Sequence, residues 1–235
     1  MHADTVASVD TYSPRAFDAV VLDDGLFACI VPIAQVSRSL TAVEEIVVGE
    51  GATLRRRQEV VAGRQAAHAA LAAIGVHAES IGQGPSGQPL FPMTACGSIS
   101  HSQDVAVAVV GLRHRFRAVG VDIDDGRPLG EAAAKGVTWE AELARLQPVL
   151  GLPTRDAIHS FVFSAKEAVF KCQFPLTGRD DVSALQARLL PHPTLPGALR
   201  VAGWRVPAPV DAAFAQIAVK RQIISSTVLA VAVAV

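Results

Sequence analysis

Two aspartates near the middle of the chain have the spacing of a cation site. Asp122 and Asp124 lie in GVDIDD at residues 120–125, where an apolar run predicts a strand. Alternate residues of a strand point to the same side, so the two carboxylates would repel each other unless a cation lay between them. Oxygen ligands of this kind suit Mg²⁺. Taken alone, the motif is better explained as a strand that ends in a solvated acidic turn.

A second charged pair, Glu167 and Lys171, lies in FSAKEAVFK at residues 163–171. A separation of four residues places both side chains on one face of a predicted helix. The simplest interpretation is a surface ion pair that contributes about 0.2–0.5 kcal/mol. The surrounding Phe161, Phe163 and Phe170 indicate a well-packed helix, in which retained charges could serve chemistry.

Groups suited to an anion occur earlier in the chain. Ser100 and His101 lie in GSISHS at residues 97–102, just before a predicted strand, and a histidine in such a loop can donate to a phosphate. Arginines at 55–57 and Arg64 lie on a predicted helix, and their guanidinium groups match phosphate oxygens. The simpler interpretations are a loop histidine and a solvated basic helix end.

The helices and strands that must position these residues fall into two parts of the chain. Residues 43–51 have an apolar pattern that fits neither a helix nor a strand clearly. The predicted elements are a hairpin at 20–33, a helix from the cap Thr53 to Gly75, a Gly/Pro loop at 82–92, strands at 104–110 and 118–123, helices at 138–150 and at 156–174 (ended by Pro175), and strands at 185–190, 199–206, 214–220 and 228–235. This order predicts an α+β fold rather than a repeated βαβ array.

The composition excludes several classes of function. The 235 residues carry a formal net charge of -1, which argues against a nucleic-acid binder held by bulk charge. Aromatic residues make up only 5%, which argues against base-stacking surfaces. Cys29, Cys96 and Cys172 are widely spaced and predict buried free thiols in a reducing cytosol.

The chain ends show no targeting signal. The first residues include Asp4 and Asp10 and lack the apolar stretch of a secretory signal. The apolar run at 227–235 is shorter than the roughly 20 residues that a membrane helix needs. We therefore expect a cytoplasmic protein with no membrane or nucleic-acid partner.

Taken in order, these segments resemble those of the 4′-phosphopantetheinyl transferases of the Sfp-like superfamily, particularly the group typified by the enterobactin-synthetase component. The matching runs are RRRQEVVAGR at 55–64, GPSGQPLFP at 84–92, GSISHS at 97–102, GVDIDD at 120–125 and FSAKEAVFKCQFPLTGR at 163–179. Each run alone is weak evidence for the family, but five runs in this order are specific to it. The resemblance implies a pseudo-dimer of two similar α/β halves, here 1–115 and 116–235, with coenzyme A and Mg²⁺ in the cleft between them.

The resemblance also implies an activity. The family moves the 4′-phosphopantetheine group from coenzyme A to a serine of an acyl or peptidyl carrier protein and releases adenosine 3′,5′-bisphosphate. The group resembled often serves siderophore or other secondary-metabolite synthases. We expect a monomer whose partners are coenzyme A and a carrier protein. The alternatives are a Mg²⁺-dependent phosphohydrolase, and a protein that binds coenzyme A or a carrier without catalysis.

The same resemblance assigns a role to each candidate residue. Asp122, Asp124 and Glu167 would hold Mg²⁺ against the coenzyme A pyrophosphate. The base for the carrier serine would be Glu167 or a metal-bound water beside it. Lys171 would contact the pyrophosphate, and Lys166 would assist there. The residues implied for the nucleotide phosphates are Ser100, His101, Arg56 and Arg64.

The sequence departs from the family pattern at two positions. Asp124 stands where many relatives have Glu, and its side chain is one methylene shorter. Asp125 is expected to be a poor substitute, because on a strand it would face the other side. Gln83 stands where some relatives have a lysine near the nucleotide phosphate, and we assign it no role.

Overall fold

The structure, a computed structural model, describes residues 17, 19–23, 25–36, 38–181, 183–204, 214 and 216–235. The N-terminal segment that we expect to carry no signal lies mostly outside these ranges. So do residues 205 and 206 of the strand predicted at 199–206, and residue 215 of the strand predicted at 214–220. Within the described ranges, no helix is long and apolar enough to cross a membrane.

Helices and strands are mixed along the described chain. In order, they are β1 (Val20–Asp23), β2 (Leu26–Pro32), α1 (Ala42–Val48), α2 (Leu54–Ala73), β3 (Gly82–Gln83), β4 (Pro89–Leu90), β5 (Ala95–His101), β6 (Val105–Leu112), β7 (Ala118–Asp124), α3 (Glu131–Val137), α4 (Glu140–Leu150), α5 (Arg155–Thr177), β8 (Ala187–Pro191), β9 (Ala198–Trp204), β10 (Ile217–Ile224) and β11 (Thr227–Ala234). The predicted α+β class is confirmed.

Each part of the chain builds its own antiparallel sheet. The first sheet has the order β1-β2-β6-β5 and the second has the order β7-β11-β10-β9-β8. The long helix α2 packs on the first sheet through buried small side chains such as Ala62, Ala66 and Ala70. The helix α5 packs on the second sheet in the same way, through Ala165, Ala168 and Val169.

The two sheets repeat one connection pattern. In the first, β2 leads through α1 and α2 to β5 and β6, and β6 then pairs with both β2 and β5. In the second, β7 leads through α4 and α5 to β10 and β11, and β11 pairs with both β7 and β10. This repeat agrees with two similar halves, and the division at 115/116 stays a prediction.

The two sheets pack against each other through a shared apolar layer. Val107 and Val109 of β6 belong to the same buried cluster as Val119 and Val121 of β7, and Leu229 of β11 joins them. Because this cluster joins both halves, β7 lies against the first sheet on one side and against α5 on the other.

A buried glutamate occupies a corresponding position in each half. Glu44 of α1 accepts hydrogen bonds from His68 Nε2 at 2.7 Å and from the Ile81 amide at 3.1 Å. Glu142 of α4 accepts from Lys166 Nζ at 3.0 Å and from the Leu189 amide at 2.6 Å. In both halves, the basic partner follows the glutamate by 24 residues and lies on the long helix. Each glutamate therefore joins a short helix and a long helix to a later backbone amide, which lies just before β3 in the first half and in β8 in the second.

Several predicted elements need correction. The run that includes Ser100 and His101 is a strand, β5, rather than a loop, because its backbone pairs with β6 along its whole length. The helix α5 continues past Pro175 to Thr177, and Gly178 ends it in the left-handed conformation at φ 66°. The ambiguous run at 43–51 contains α1, which starts with a capping box between Thr41 and Glu44.

The buried carboxylate of Glu44 should stabilise the fold in a pH-dependent way. Burial alone would raise its pKa, but the hydrogen bonds from His68, Thr41 and Ile81 and the charge of Arg38 outweigh burial and hold the pKa at about 2, below the ordinary 4.5. A lowered pKa in the folded state contributes stability above about pH 4.5, and this contribution is lost as the pH falls toward 2.

We therefore expect Glu44→Gln to lower the free energy of unfolding at pH 7 by about 1–3 kcal/mol, because a buried network loses its charged acceptor. The difference from the unsubstituted protein should shrink as the pH falls below 4.5. Denaturant unfolding followed by circular dichroism measures both effects. Glu50→Gln is the matched control, because Glu50 is an exposed glutamate just after the same helix. Equal stability of Glu44→Gln and the unsubstituted protein at pH 7 would contradict this account.

Candidate active site

The candidate acids depend on a close contact between β7 and α5. At Gly120, an added Cβ would lie 2.0 Å from the Ala168 carbonyl oxygen and 2.7 Å from the Cys172 amide nitrogen. Only glycine allows the strand backbone to lie this close to a helical turn. That turn includes Lys171, so the contact at Gly120 sets the distance from Lys171 to the strand.

Lys171 forms the centre of the first set of contacts. Its Nζ donates to Asp122 Oδ1 at 2.7 Å, to the Val121 carbonyl at 3.0 Å and to Ser100 Oγ at 3.2 Å. The Ser100 hydroxyl in turn donates to Asp122 Oδ1 at 2.8 Å. Three predicted site residues, Ser100, Asp122 and Lys171, therefore form one cluster that spans both halves.

Asp124 is held by a different residue of the same helix. Its Oδ1 accepts from Ser160 Oγ at 2.5 Å and from the Gly126 amide at 3.1 Å. Because Asp122 and Asp124 both contact side chains of α5, the prediction that they project to one side of the strand is confirmed. They contact the helix at different places, because Ser160 and Lys171 are about three turns apart along α5.

Glu167 completes the polar stripe of α5. Residues 160, 164, 167 and 171 recur at helical spacing, and Ser164 Oγ donates to the Ile123 carbonyl at 3.1 Å. Burial raises the pKa of the Glu167 carboxyl, the Lys171 ammonium opposes this shift, and the Asp122 carboxylate adds to it. A carboxylate whose pKa is raised toward neutrality is suited to accept a proton.

A cleft of about 420 Å³ opens beside this helix–strand pair. Its polar lining from the second half includes Asp122, Asp125 and Glu167, and its lining from the first half is His101 and Ser102. The expectation that Asp125 faces the other side is wrong, because β7 ends at Asp124 and the chain turns there. Candidate residues of both halves thus share one cleft.

Lys166 does not belong to this cleft. Its side chain is fully buried, donates to the Val137 carbonyl and to Glu142 Oε2, and lies 5.0 Å from the Trp139 ring centroid. The prediction that Lys166 assists at the pyrophosphate is therefore wrong. Adjacent residues of a helix project about 100° apart, so the neighbour of a cleft residue can face the core.

The predicted phosphate residues of the first half occupy two environments. Arg56 and His101 are partly exposed, and each lies 3.8 Å from the carboxylate of Glu59. Arg64 is buried, with its Nε donating to the Ile81 carbonyl at 2.7 Å and its Nη2 to the Gly82 carbonyl at 3.3 Å. Arg64 thus anchors the start of the Gly/Pro loop, and its role at a phosphate stays a prediction.

Two sequence models of known protein families match this chain, one in each half. The sequence model of the 4′-phosphopantetheinyl transferase N-terminal domain matches residues 43–111, and that of the 4′-phosphopantetheinyl transferase superfamily matches residues 118–222. The chain belongs to the 4′-phosphopantetheinyl transferase superfamily. The two matches meet between β6 and β7, where the first sheet ends and the second begins.

Three relatives illustrate this membership. The chain is 33% identical over 127 residues to the 4′-phosphopantetheinyl transferase Npt of Nocardia iowensis, which covers 53% of this chain and 55% of Npt. It is 29% identical over 180 residues to the 4′-phosphopantetheinyl transferase Svp of Streptomyces mobaraensis, covering 71% of this chain and 72% of Svp. It is 40% identical over 119 residues to enterobactin synthase component D of Salmonella typhi, covering 50% and 48%. The chain thus spans about half the length of Npt and of the enterobactin synthase component.

The acids of this family member suit Mg²⁺ by their chemistry. Among the residues that the structure describes, no three His, Cys, Asp or Glu side chains lie close enough to form a metal site by themselves. Asp122 and Asp124 are separated by about 6.7 Å of strand, and Asp124 is held by Ser160, almost two helical turns from Glu167. Mg²⁺ is usually held by one or two carboxylates together with waters and substrate phosphates, and Asp122 and Glu167 in one cleft fit that pattern.

Two residues that contact the site were not predicted from the sequence. Ser160 holds Asp124, and Glu59 lies beside Arg56 and His101. The spacing of Ser160, Ser164, Glu167 and Lys171 is a helical stripe that the sequence displays. No comparable signal marks Glu59, because its contact with His101 depends on how α2 crosses β5.

The contact at Gly120 predicts the effect of a single methyl group. In Gly120→Ala, the new Cβ would clash with the backbone of α5, so we expect the free energy of unfolding to fall by about 3 kcal/mol. Denaturant unfolding measures this loss. Gly136→Ala in α3 is the matched control, because nothing lies within 4 Å of its added Cβ and alanine favours a helix. A Gly120→Ala protein as stable as the Gly136→Ala protein would contradict the close approach.

Proposed function

We propose that this protein transfers the 4′-phosphopantetheine group of coenzyme A to a serine of an apo acyl or peptidyl carrier protein. The observation that carries the proposal is the Lys171–Asp122–Ser100 cluster, which lies beside Glu167. It brings a cation, two carboxylates and a hydroxyl from both halves to a site that can bind a pyrophosphate. The enterobactin synthase component among the relatives favours a carrier of a siderophore or similar synthase.

Coenzyme A would bind across the two halves. Arg56 and His101 are partly exposed basic residues of the first half, and they suit the nucleotide phosphates. Lys171 suits the pyrophosphate, because its ammonium lies in the cluster and can exchange one of its three present acceptors for a phosphate oxygen. Asp122 and Glu167 would hold Mg²⁺ in the cleft, and Asp124 from the same strand would reach the ion through a water. When bound, this ion supplies positive charge that stabilises the leaving phosphate.

The transfer itself is a phosphoryl-group displacement. The oxygen of the carrier serine attacks the phosphorus atom that bears the pantetheine, and the bond from that phosphorus to the bridging pyrophosphate oxygen breaks. Adenosine 3′,5′-bisphosphate leaves with the electron pair of that bond. Glu167, or a water beside it, accepts the serine proton. Lys171 stabilises the negative charge that develops on the phosphate oxygens.

A Mg²⁺-dependent phosphohydrolase and a non-catalytic binding protein use the same groups differently. A phosphohydrolase would activate water and release free phosphopantetheine without a carrier. A non-catalytic protein would bind coenzyme A and transfer nothing.

A carrier panel separates the three candidates. The protein is incubated with coenzyme A, Mg²⁺ and several apo carrier proteins, and the carriers are weighed by mass spectrometry. We expect at least one carrier to gain the mass of one phosphopantetheine group, with adenosine 3′,5′-bisphosphate formed in equal amount. Unmodified carriers in the presence of a folded protein that binds coenzyme A would refute the transferase, and free phosphopantetheine would favour the hydrolase.

Substitution of the cleft carboxylates tests their roles. We expect Asp122→Ala and Glu167→Ala to lower kcat for transfer at least a hundredfold, because each removes a charge from the reacting groups. Glu79→Ala serves as a charge-matched control on an exposed loop of the first half. Steady-state kinetics with an apo carrier that the panel shows to be a substrate measures kcat for all three variants. Transfer by either cleft variant at the rate of the control would exclude that carboxylate from the mechanism.

A further inference from the structure

Both strand acids are held through one oxygen only. In the described part of the chain, the hydrogen bonds to Asp122 and Asp124 all fall on their Oδ1 atoms. Each Oδ1 accepts from a buried serine hydroxyl, Ser100 for Asp122 at 2.8 Å and Ser160 for Asp124 at 2.5 Å. A carboxylate anchored at one oxygen has a defined rotation, so its second oxygen has a defined direction.

The two serines come from different elements but act alike. Ser100 lies on β5 of the first half, and Ser160 lies on α5 of the second. Both side chains are buried, and Ser160 lies at the wall of the cleft. A hydroxyl that donates to a carboxylate favours the ionised form and orients it.

This contact changes the interpretation of Ser100. The resemblance implies that Ser100 is a phosphate ligand, but its hydroxyl hydrogen is directed to Asp122 and its oxygen accepts from Lys171. The partly exposed His101 next to it lines the cleft instead. Neighbouring strand residues point to opposite sides, so the two members of this pair cannot contact the same group in the same way.

We infer that Ser100 and Ser160 are positioning residues that fix the rotation of Asp122 and Asp124, so that Asp122 presents its second oxygen to a divalent cation in the cleft and Asp124 faces the same ion through a water. This inference rests on the proposed function. Ser160 also compensates for the short side chain of Asp124, because it fixes a carboxylate that would otherwise rotate freely. Neither serine contacts the reacting atoms.

Mn²⁺ binding tests this role directly. The full chain is titrated with Mn²⁺ in the presence of coenzyme A, and the free ion is followed by electron paramagnetic resonance. We expect Ser100→Ala and Ser160→Ala each to raise the dissociation constant of Mn²⁺ about tenfold, because each removes a hydrogen bond to a charged group. We expect the Michaelis constant for coenzyme A at saturating Mg²⁺ to change less than twofold.

Two further variants separate positioning from general damage. Ser98→Ala removes a buried hydroxyl from the same strand as Ser100, but the donors to Asp122 and Asp124 are other residues, so Mn²⁺ affinity should be unchanged. Ser100→Thr keeps the hydroxyl on a residue that suits a strand, and it should restore most of the lost affinity. Thermal unfolding of each variant confirms that it is folded.

The outcomes distinguish this inference from the proposed function. If the unsubstituted protein transfers phosphopantetheine but Ser100→Ala and Ser160→Ala bind Mn²⁺ normally, the positioning role is refuted and the transferase stands. If Ser100→Ala keeps its Mn²⁺ affinity and instead loses discrimination between coenzyme A and 3′-dephospho-coenzyme A, Ser100 is a phosphate ligand. If the unsubstituted protein neither transfers the group nor binds Mn²⁺, both proposals fail.

Discussion

The close contact between β7 and α5 is the constraint on which the candidate site depends. Gly120 lets the strand backbone lie against the turn from Ala168 to Cys172, and the side chains around it on the helix are fully buried. The helix is rigid, so this one contact sets the distance of every residue along its polar stripe from the strand. The bond from Lys171 to Asp122 and the bond from Ser160 to Asp124 would both lengthen if the helix moved outward by the width of a methyl group.

The repeated connection pattern provides the same scaffold twice, but the two copies carry different chemistry. In each half, a buried glutamate joins a short helix to a long helix and to a later backbone amide. The partner on the long helix is His68 in the first half and Lys166 in the second, which explains why Lys166 is needed in the core. The long helix of the first half carries Arg55 and Arg56 beside Glu59, whereas that of the second carries Glu167 and Lys171 beside the strand acids. Sheet-to-sheet packing then brings His101 and Ser102 of the first half to one cleft with Asp122 and Glu167 of the second.

The near-zero net charge conceals two local fields of opposite sign. In the first half, the basic side chains of Arg55, Arg56 and His101 lie around the carboxylate of Glu59. In the second half, Lys171 partly neutralises the acids of β7. A nucleotide with several phosphates needs both fields, because its nucleotide phosphates and its metal-bound pyrophosphate require opposite partners. A total of -1 therefore argues against bulk nucleic-acid binding but not against recognition of a single polyanionic ligand.

The sequence alone determined the α+β class and most of the elements, because these follow from local periodicity. It also determined the family and the candidate residues Ser100, His101, Asp122, Glu167 and Lys171, because these follow from motifs in a fixed order. It also placed Asp122 and Asp124 on one side of their strand, since alternation is a property of the backbone itself. Only the tertiary structure decided that Lys166 faces the core, that Arg64 holds the Gly/Pro loop, and that Ser160 and Ser100 hold the two acids. These features depend on which elements pack together and at what distance, and periodicity within one element carries no information about the partner on its other side.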